Sequence, residues 1–216
     1  MRRLSMLRLM FRNIGKLYYF PSVIILVFTP VLAYRYHMMM FDAAAEFQLV
    51  SRLTQLLLPL PVVWWLFFTT REGTDGDIRE ILSVCRPGFF SSLLDLLLIL
   101  LWHALHMAVT MQILSFWFPR MWMLYLHLLA QSLFFAGLFY VASELLRSSA
   151  FGFFVVLAYY FAAAFFSGGT ALSKISIFLT DEQLINRINL QPDCITAAIG
   201  MLCSVGGAWL SKRRKL

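Results

Sequence analysis

Six stretches of this chain, at 18–34, 53–70, 89–114, 121–143, 148–167 and 194–210, carry almost no charge. Each is near the roughly 20 apolar residues that a helix needs to cross a bilayer. No other feature constrains the fold as strongly. In hydrocarbon every backbone N–H and C=O must be satisfied within the chain, and a run of this length does so as an α-helix. With 61% hydrophobic residues, 13% charged residues and 21 Phe among 216 positions, a water-soluble domain would leave much of its apolar surface exposed. The expectation is an all-α integral membrane protein, one transmembrane domain of six helices.

Lys and Arg set the orientation of such a bundle. With both termini in the cytoplasm, 13 basic residues lie inside: Arg2, Arg3, Arg8, Arg12, Lys16, Arg71, Arg79, Arg86, Arg147, Lys212, Arg213, Arg214 and Lys215. Five lie outside: Arg35, Arg52, Arg120, Lys174 and Arg187. This topology accounts for the formal net charge of +7 through attraction to anionic lipid. Nucleic acid is not an expected partner, because no basic cluster sits on a soluble domain. The expected location is the cell membrane, with both termini cytoplasmic.

Residues 1–17 read as an interfacial helix: Leu4, Leu7, Phe11 and Ile14 share an arc opposite Arg8, Arg12 and Lys16. Between the second and third stretches lies a polar island, 71–88. Thr74 and Asp77 form a capping-box-like start, and Ile78, Ile81, Leu82 and Cys85 recur at i, i+3, i+4, i+7 as one apolar face. Arg86-Pro87-Gly88 then ends the element. In the topology above it is a cytosolic docking helix. The segment 168–193 is too long for a plain turn and holds a second capping signal, Thr180 with Gln183, so it reads as an outside helix or a re-entrant hairpin.

The third stretch is the least lipid-like. Ser92, Asp95, His103, His106 and Thr110 fall within an arc of about 80° at ~100° per residue. On the fourth stretch His127 and Gln131 share a face, and a six-residue connection, 115–120, makes the two an antiparallel hairpin. His103, His106, His127 and Gln131 are therefore candidates for a polar pathway, with interhelical hydrogen bonding as the structural alternative. In the sixth stretch Thr196, Gly200, Ser204 and Ala208 form a line of small residues, which Ala158 and Ala162 of the fifth are placed to meet. Pro59 and Pro61 predict a bend in the second stretch. Cys85, Cys194 and Cys203 make no CxxC spacing and point to neither a metal site nor a disulfide framework.

Phe68 and Arg71-Glu72-Gly73-Thr74 with Glu80-Ile81-Leu82 resemble the Glu-x-x-x-Gly-Thr-Leu-Glu-x-Leu-Leu region of the type-2 ABC permease family, in particular its small bacitracin-type exporter permeases. Here the acidic residue directly precedes the Gly, and Asp-Gly-Asp intervenes before the apolar face. The resemblance in architecture covers the whole chain and that in sequence about a dozen residues.

The resemblance implies a permease subunit of an ATP-driven exporter that moves an amphiphilic or apolar peptide, drug or lipid by alternating access. It implies a second permease, identical or homologous, and separate ATP-binding subunits. On those, Glu72, Gly73, Thr74, Asp77, Ile78, Glu80, Ile81 and Leu82 would dock as a coupling helix. The chain has no GxxxxGK[ST] loop, so ATP and Mg would be bound by the partner, and the chain itself is not expected to be an enzyme. Met38 to Met40, Trp64, Trp65 and Phe135 would suit an adaptable substrate lining. Two alternatives stand beside this one: a substrate-binding or haem-handling membrane subunit of another transporter type, and a membrane-embedded enzyme using His103, His106 and His127.

Overall fold

The computed structural model describes residues 15–39, 42–74, 89–165, 177–178 and 191–213, with the side chains of 72–74, 89–92 and 191 left aside. The described residues are helical throughout apart from short connections. We number the helices α1 (Gly15–Met39), α2 (Ala43–Leu57), α3 (Pro61–Thr74), α4 (Phe89–Leu114), α5 (Trp122–Leu146), α6 (Ser149–Phe165) and α7 (Gln191–Arg213). Among the described residues five segments are long and apolar enough to cross a membrane: α1, α2 with α3 as Ala43–Arg71, α4, α5 with its preceding turn, and α7. The chain is a multi-pass membrane protein by this measure. At 17 residues, α6 is apolar but shorter than the others.

Prolines shape two of these passes. Pro30 has no N–H to offer inside α1, and the turn before it widens to a π-helix at Ile24–Phe28, where the Thr29 N–H bonds to Ile24 O five residues back. Thr29 Oγ1 also donates to Ile24 O, at 2.9 Å, and Thr110 Oγ1 on α4 donates to Ile25 O at 2.9 Å. Pro59 and Pro61 break the second pass, as their spacing predicts. The last bond of α2 runs from Leu58 N to Thr54 O, and α3 restarts with Val63 N to Leu60 O, each 3.0 Å. The break removes the donor that Leu56 O would otherwise meet, and Tyr160 Oη of α6 supplies one at 3.0 Å.

Helix directions follow from the cross-contacts. Trp64 and Trp65 near the end of the second pass donate through Nε1 to Leu17 O and Tyr18 O at the start of α1, each 3.1 Å, so these passes are antiparallel. Ser22 meets His106 and Ile25 meets Thr110, so α1 and α4 are parallel. Tyr125 Oη donates to Ala104 O across the α4–α5 hairpin. Gly152 lies on Phe139 and Ser143, and Tyr159 on Phe134, so α6 returns along α5. Asp193 with His127, Gly200 with Phe134 and Gly207 with Tyr140 make α7 parallel to α5. Gly15, Thr74, Phe89, Arg147 and Arg213 consequently share one end of the bundle.

The helices overrun the apolar stretches. The first connection is confined to 40–42, because Asp42 caps α2 by accepting from Ala44 N at 3.0 Å, and His37 and Glu46 bridge the hairpin at 2.6 Å. Arg35 and Arg52, expected in a loop, are exposed helical residues. The small-residue line of α7 does not face α6. Thr196, Gly200, Ser204 and Ala208 are buried against α5, where Gly137 provides the matching groove, while Ala158 is exposed. A Cβ on Gly137 would stand 2.2 Å from Gly200 O, and one on Gly200 would stand 2.7 Å from Phe134 N. Here the two backbones touch, which only glycine permits.

The expected interfacial helix of 1–17 lies outside the described residues except for Gly15, Lys16 and Leu17. The docking helix beyond Thr74 and most of 168–193 also lie outside them.

Candidate functional site

From His103 to Thr110 the polar stripe of α4 turns inward, and its two histidines both meet Trp65 but hydrogen-bond to different helices. His106 Nδ1–H donates to Trp102 O, one turn back, at 2.9 Å. Its Nε2 is therefore the acceptor for the Ser22 hydroxyl of α1, at 3.2 Å. Thr110, one turn further along, holds the carbonyl of Ile25 that the π-turn exposes. Together these two contacts fasten α1 to α4.

His103 points the other way. Ser132 of α5 gives its one hydroxyl proton to Leu128 O at 2.7 Å, so its oxygen accepts from His103 Nε2–H at 3.2 Å. The His103 ring lies against the Leu58 backbone at the proline break and edge-on to Trp65, and its Nδ1 has no hydrogen-bond partner among the described residues. The broken second pass thus leans on α4 through an imidazole.

His127 belongs to a third group, formed by α5, α7 and the 177–178 pair. Its Nδ1 and Asp193 Oδ1 are 2.6 Å apart, with both residues buried. Gln131 Nε2 lies 2.9 Å from His127 Nε2 and donates to Ile177 O at 2.9 Å. Gln131 sits nine residues into α5, about 13 Å along its axis at ~1.5 Å per residue. Ile177 therefore lies beside the turn of α5 that carries Gln131. Phe178 packs on Tyr160, whose hydroxyl also holds Leu56 O. Through Tyr160 this group connects to the proline break.

All four sequence candidates, His103, His106, His127 and Gln131, are buried. The fold brings His127 and Gln131 together, and His103 and His106 both pack on Trp65 while hydrogen-bonding to different helices, α5 and α1. No group of three or more His, Cys, Asp or Glu side chains placed to hold a metal ion occurs among the described residues. The aromatic and Met set does not form one lining: Trp65 and Phe135 are fully buried core, whereas Met38 and Met39 project outward. Glu72, Gly73 and Thr74 are the last residues of α3, so the second pass runs on into the polar island. Asp77, Ile78, Glu80, Ile81 and Leu82 lie outside the described residues.

Sequence reasoning passes over Asp193, Ser22, Ser132, Tyr160 and the face of α2 that buries Glu46, Ser51, Thr54 and Gln55. The polar residues Glu46 and Thr54, two turns apart, with Ser51 and Gln55 one turn apart beside them, were the available signal for that face. No family model, curated protein or solved structure matches this chain.

Proposed function

We propose that this chain is the membrane subunit of an ATP-driven exporter of the type-2 ABC permease kind, working with a second permease and separate ATP-binding subunits. The observation that carries the reading is the path of the second pass. Broken at Pro59–Pro61, it restarts as α3 and continues past Arg71 to Thr74, at the bundle end shared with Gly15 and Arg213. A helix that enters the polar island without interruption is a lever. The basic residues described at that end, Lys16, Arg71, Arg147, Lys212 and Arg213, favour the cytoplasmic side. Arg213 also covers the Trp209 ring at 4.2 Å, as an interfacial anchor does.

In this reading Ile78, Ile81 and Leu82 fill a groove on the ATP-binding subunit, and Glu72, Thr74, Asp77 and Glu80 make its polar contacts. ATP and Mg are bound there, on the partner. Its closure pushes the island, α3 swings about the proline break, and the contacts at the break carry the motion: His103 to α5 and Tyr160 to α6. The six-pass count includes α6, whose 17 residues sit at the short end of what crosses a bilayer. The alternative uses of the three histidines, in haem handling or in catalysis, need all three assembled; His103 and His106 share Trp65, but His127 is bonded apart to Asp193 and Gln131, which favours the exporter.

The test is co-purification of this chain with the products of its neighbouring genes, asking whether an ATP-binding protein elutes with it. The pair is expected to elute together, and Ile81→Asp with Leu82→Asp is expected to release the partner. Association that survives the double substitution, or that never forms, overturns the reading. Transport that persists in His103→Ala with His127→Ala removes the histidine-based alternatives.

A further inference from the structure

The geometry points to His127 as a proton-binding site that decides whether Ile177 is held to α5. The argument is one of donors and acceptors. A glutamine amide nitrogen has two N–H groups, and both of Gln131's are engaged: one toward His127 Nε2 and one on Ile177 O, each at 2.9 Å. His127 Nε2 must then present its lone pair. The ring proton sits on Nδ1 and is donated to Asp193 Oδ1 at 2.6 Å, so the imidazole is neutral and its tautomer is fixed from both sides. The opposite amide orientation would set Gln131 Oε1 against the carbonyl oxygen of Ile177. In the orientation present, Oε1 is buried without a hydrogen-bond partner among the described residues.

A proton taken from water onto His127 Nε2 reverses this arrangement. The nitrogen becomes a donor facing a donor, and Asp193 now faces an imidazolium. Rotation of the Gln131 amide restores the bond by bringing Oε1 to His127 Nε2–H. The same rotation places that oxygen against Ile177 O, so the Gln131–Ile177 bond is lost. One proton thus exchanges a link between α5 and Ile177 for a charged pair between α5 and α7. The other titratable side chain reaching the site among the described residues is Tyr159 of α6, which hydrogen-bonds the Ile177 backbone. From α4, His103 and His106 go to other partners, and Cys194, next to Asp193 on α7, is exposed. The Phe178 contact with Tyr160 follows Ile177, so release is also felt at the proline break.

The experiment uses the full chain in lipid bilayers. Nitrogen NMR of histidine-labelled protein, with His127 assigned by its absence in His127→Gln, reads the tautomer. A nitroxide attached through Phe178→Cys, with Cys85, Cys194 and Cys203 replaced by Ser, reads local mobility. At about pH 8 His127 is expected neutral with the proton on Nδ1; at about pH 5 both nitrogens are protonated and the mobile fraction of the label rises about two-fold or more. In Gln131→Leu the label is expected to be mobile at both values, and in His127→Gln the pH response disappears. The proposal is overturned by an Nε2–H tautomer or a charged ring at the higher pH. It is equally overturned by a ring that stays neutral throughout, by protonation without a change at the label, or by a response that survives in His127→Gln.

Discussion

The contact between α5 and α7 allows a quantitative forecast for Gly137→Ala. The added methyl would stand 2.2 Å from Gly200 O, 3.0 Å from Gly200 C and 3.1 Å from Cys203 Cβ. A comfortable carbon-to-oxygen contact is about 3.3 Å, so the helices must part locally by about 1 Å. Because the obstacle is backbone, no rotamer change relieves it. A gap of that size forfeits roughly a quarter to a half of each van der Waals well along the seam, and overpacking strain of this kind costs about 1–3 kcal/mol. Replacing a helical glycine by alanine returns up to about 1 kcal/mol of propensity.

The built-in control is Gly206→Ala, whose methyl meets only Val141 Cγ2 at 3.9 Å and so keeps the propensity gain without the strain. Because both variants gain the same helix propensity, they should differ by the strain alone, about 1–3 kcal/mol in reversible unfolding in mixed micelles. Gly207→Ala should side with Gly137→Ala, since its methyl would stand 2.7 Å from Tyr140 Cδ1 and 3.1 Å from Val141 N. Gly137→Ala with Gly200→Ala should cost less than the two single changes added, because the first separation makes room for the second methyl. Equal stability of Gly137→Ala and Gly206→Ala, within about 0.5 kcal/mol, would refute the claim that backbone contact sets this seam.

Other expectations follow from the bonds at the proline sites. Tyr160→Phe leaves Leu56 O without its donor and should cost about 1–2 kcal/mol in the same unfolding assay, whereas Tyr159→Phe leaves that bond intact. Thr110→Val keeps the shape of the side chain but strips Ile25 O of its donor, and should loosen α1 by about 1 kcal/mol, read as faster amide exchange at Ile24–Phe28. Trp65→Phe should likewise free Tyr18 O, with faster exchange confined to the first turns of α1. Under the exporter reading proposed above, Pro59→Ala with Pro61→Ala should straighten the second pass and uncouple ATP hydrolysis from transport while leaving partner binding intact. Coupled transport in that variant would show that the break is not the hinge.

Much of the fold is legible in the chain, for a simple reason. In hydrocarbon, hydropathy over about 20 residues is nearly a complete instruction for a helix, because no other backbone arrangement satisfies its own polar groups. Five membrane-length apolar segments, the kink at Pro59 and Pro61, the α4–α5 hairpin and the inward face of α4 from His103 to Thr110 all follow from local rules of that kind. The partner of each face does not. The line from Thr196 to Ala208 announces a close approach, but small residues accept any backbone, and only the position of Gly137 opposite Gly200 selects α5 over α6. The spacing of the histidines marks them as inward. Whether they gather or disperse depends on Ser22, Ser132 and Asp193, drawn from three different helices and placed by packing. Sequence periodicity encodes which side of a helix is polar, whereas hydrogen-bond pairing across 66 residues, as between His127 and Asp193, exists only once the helices have met.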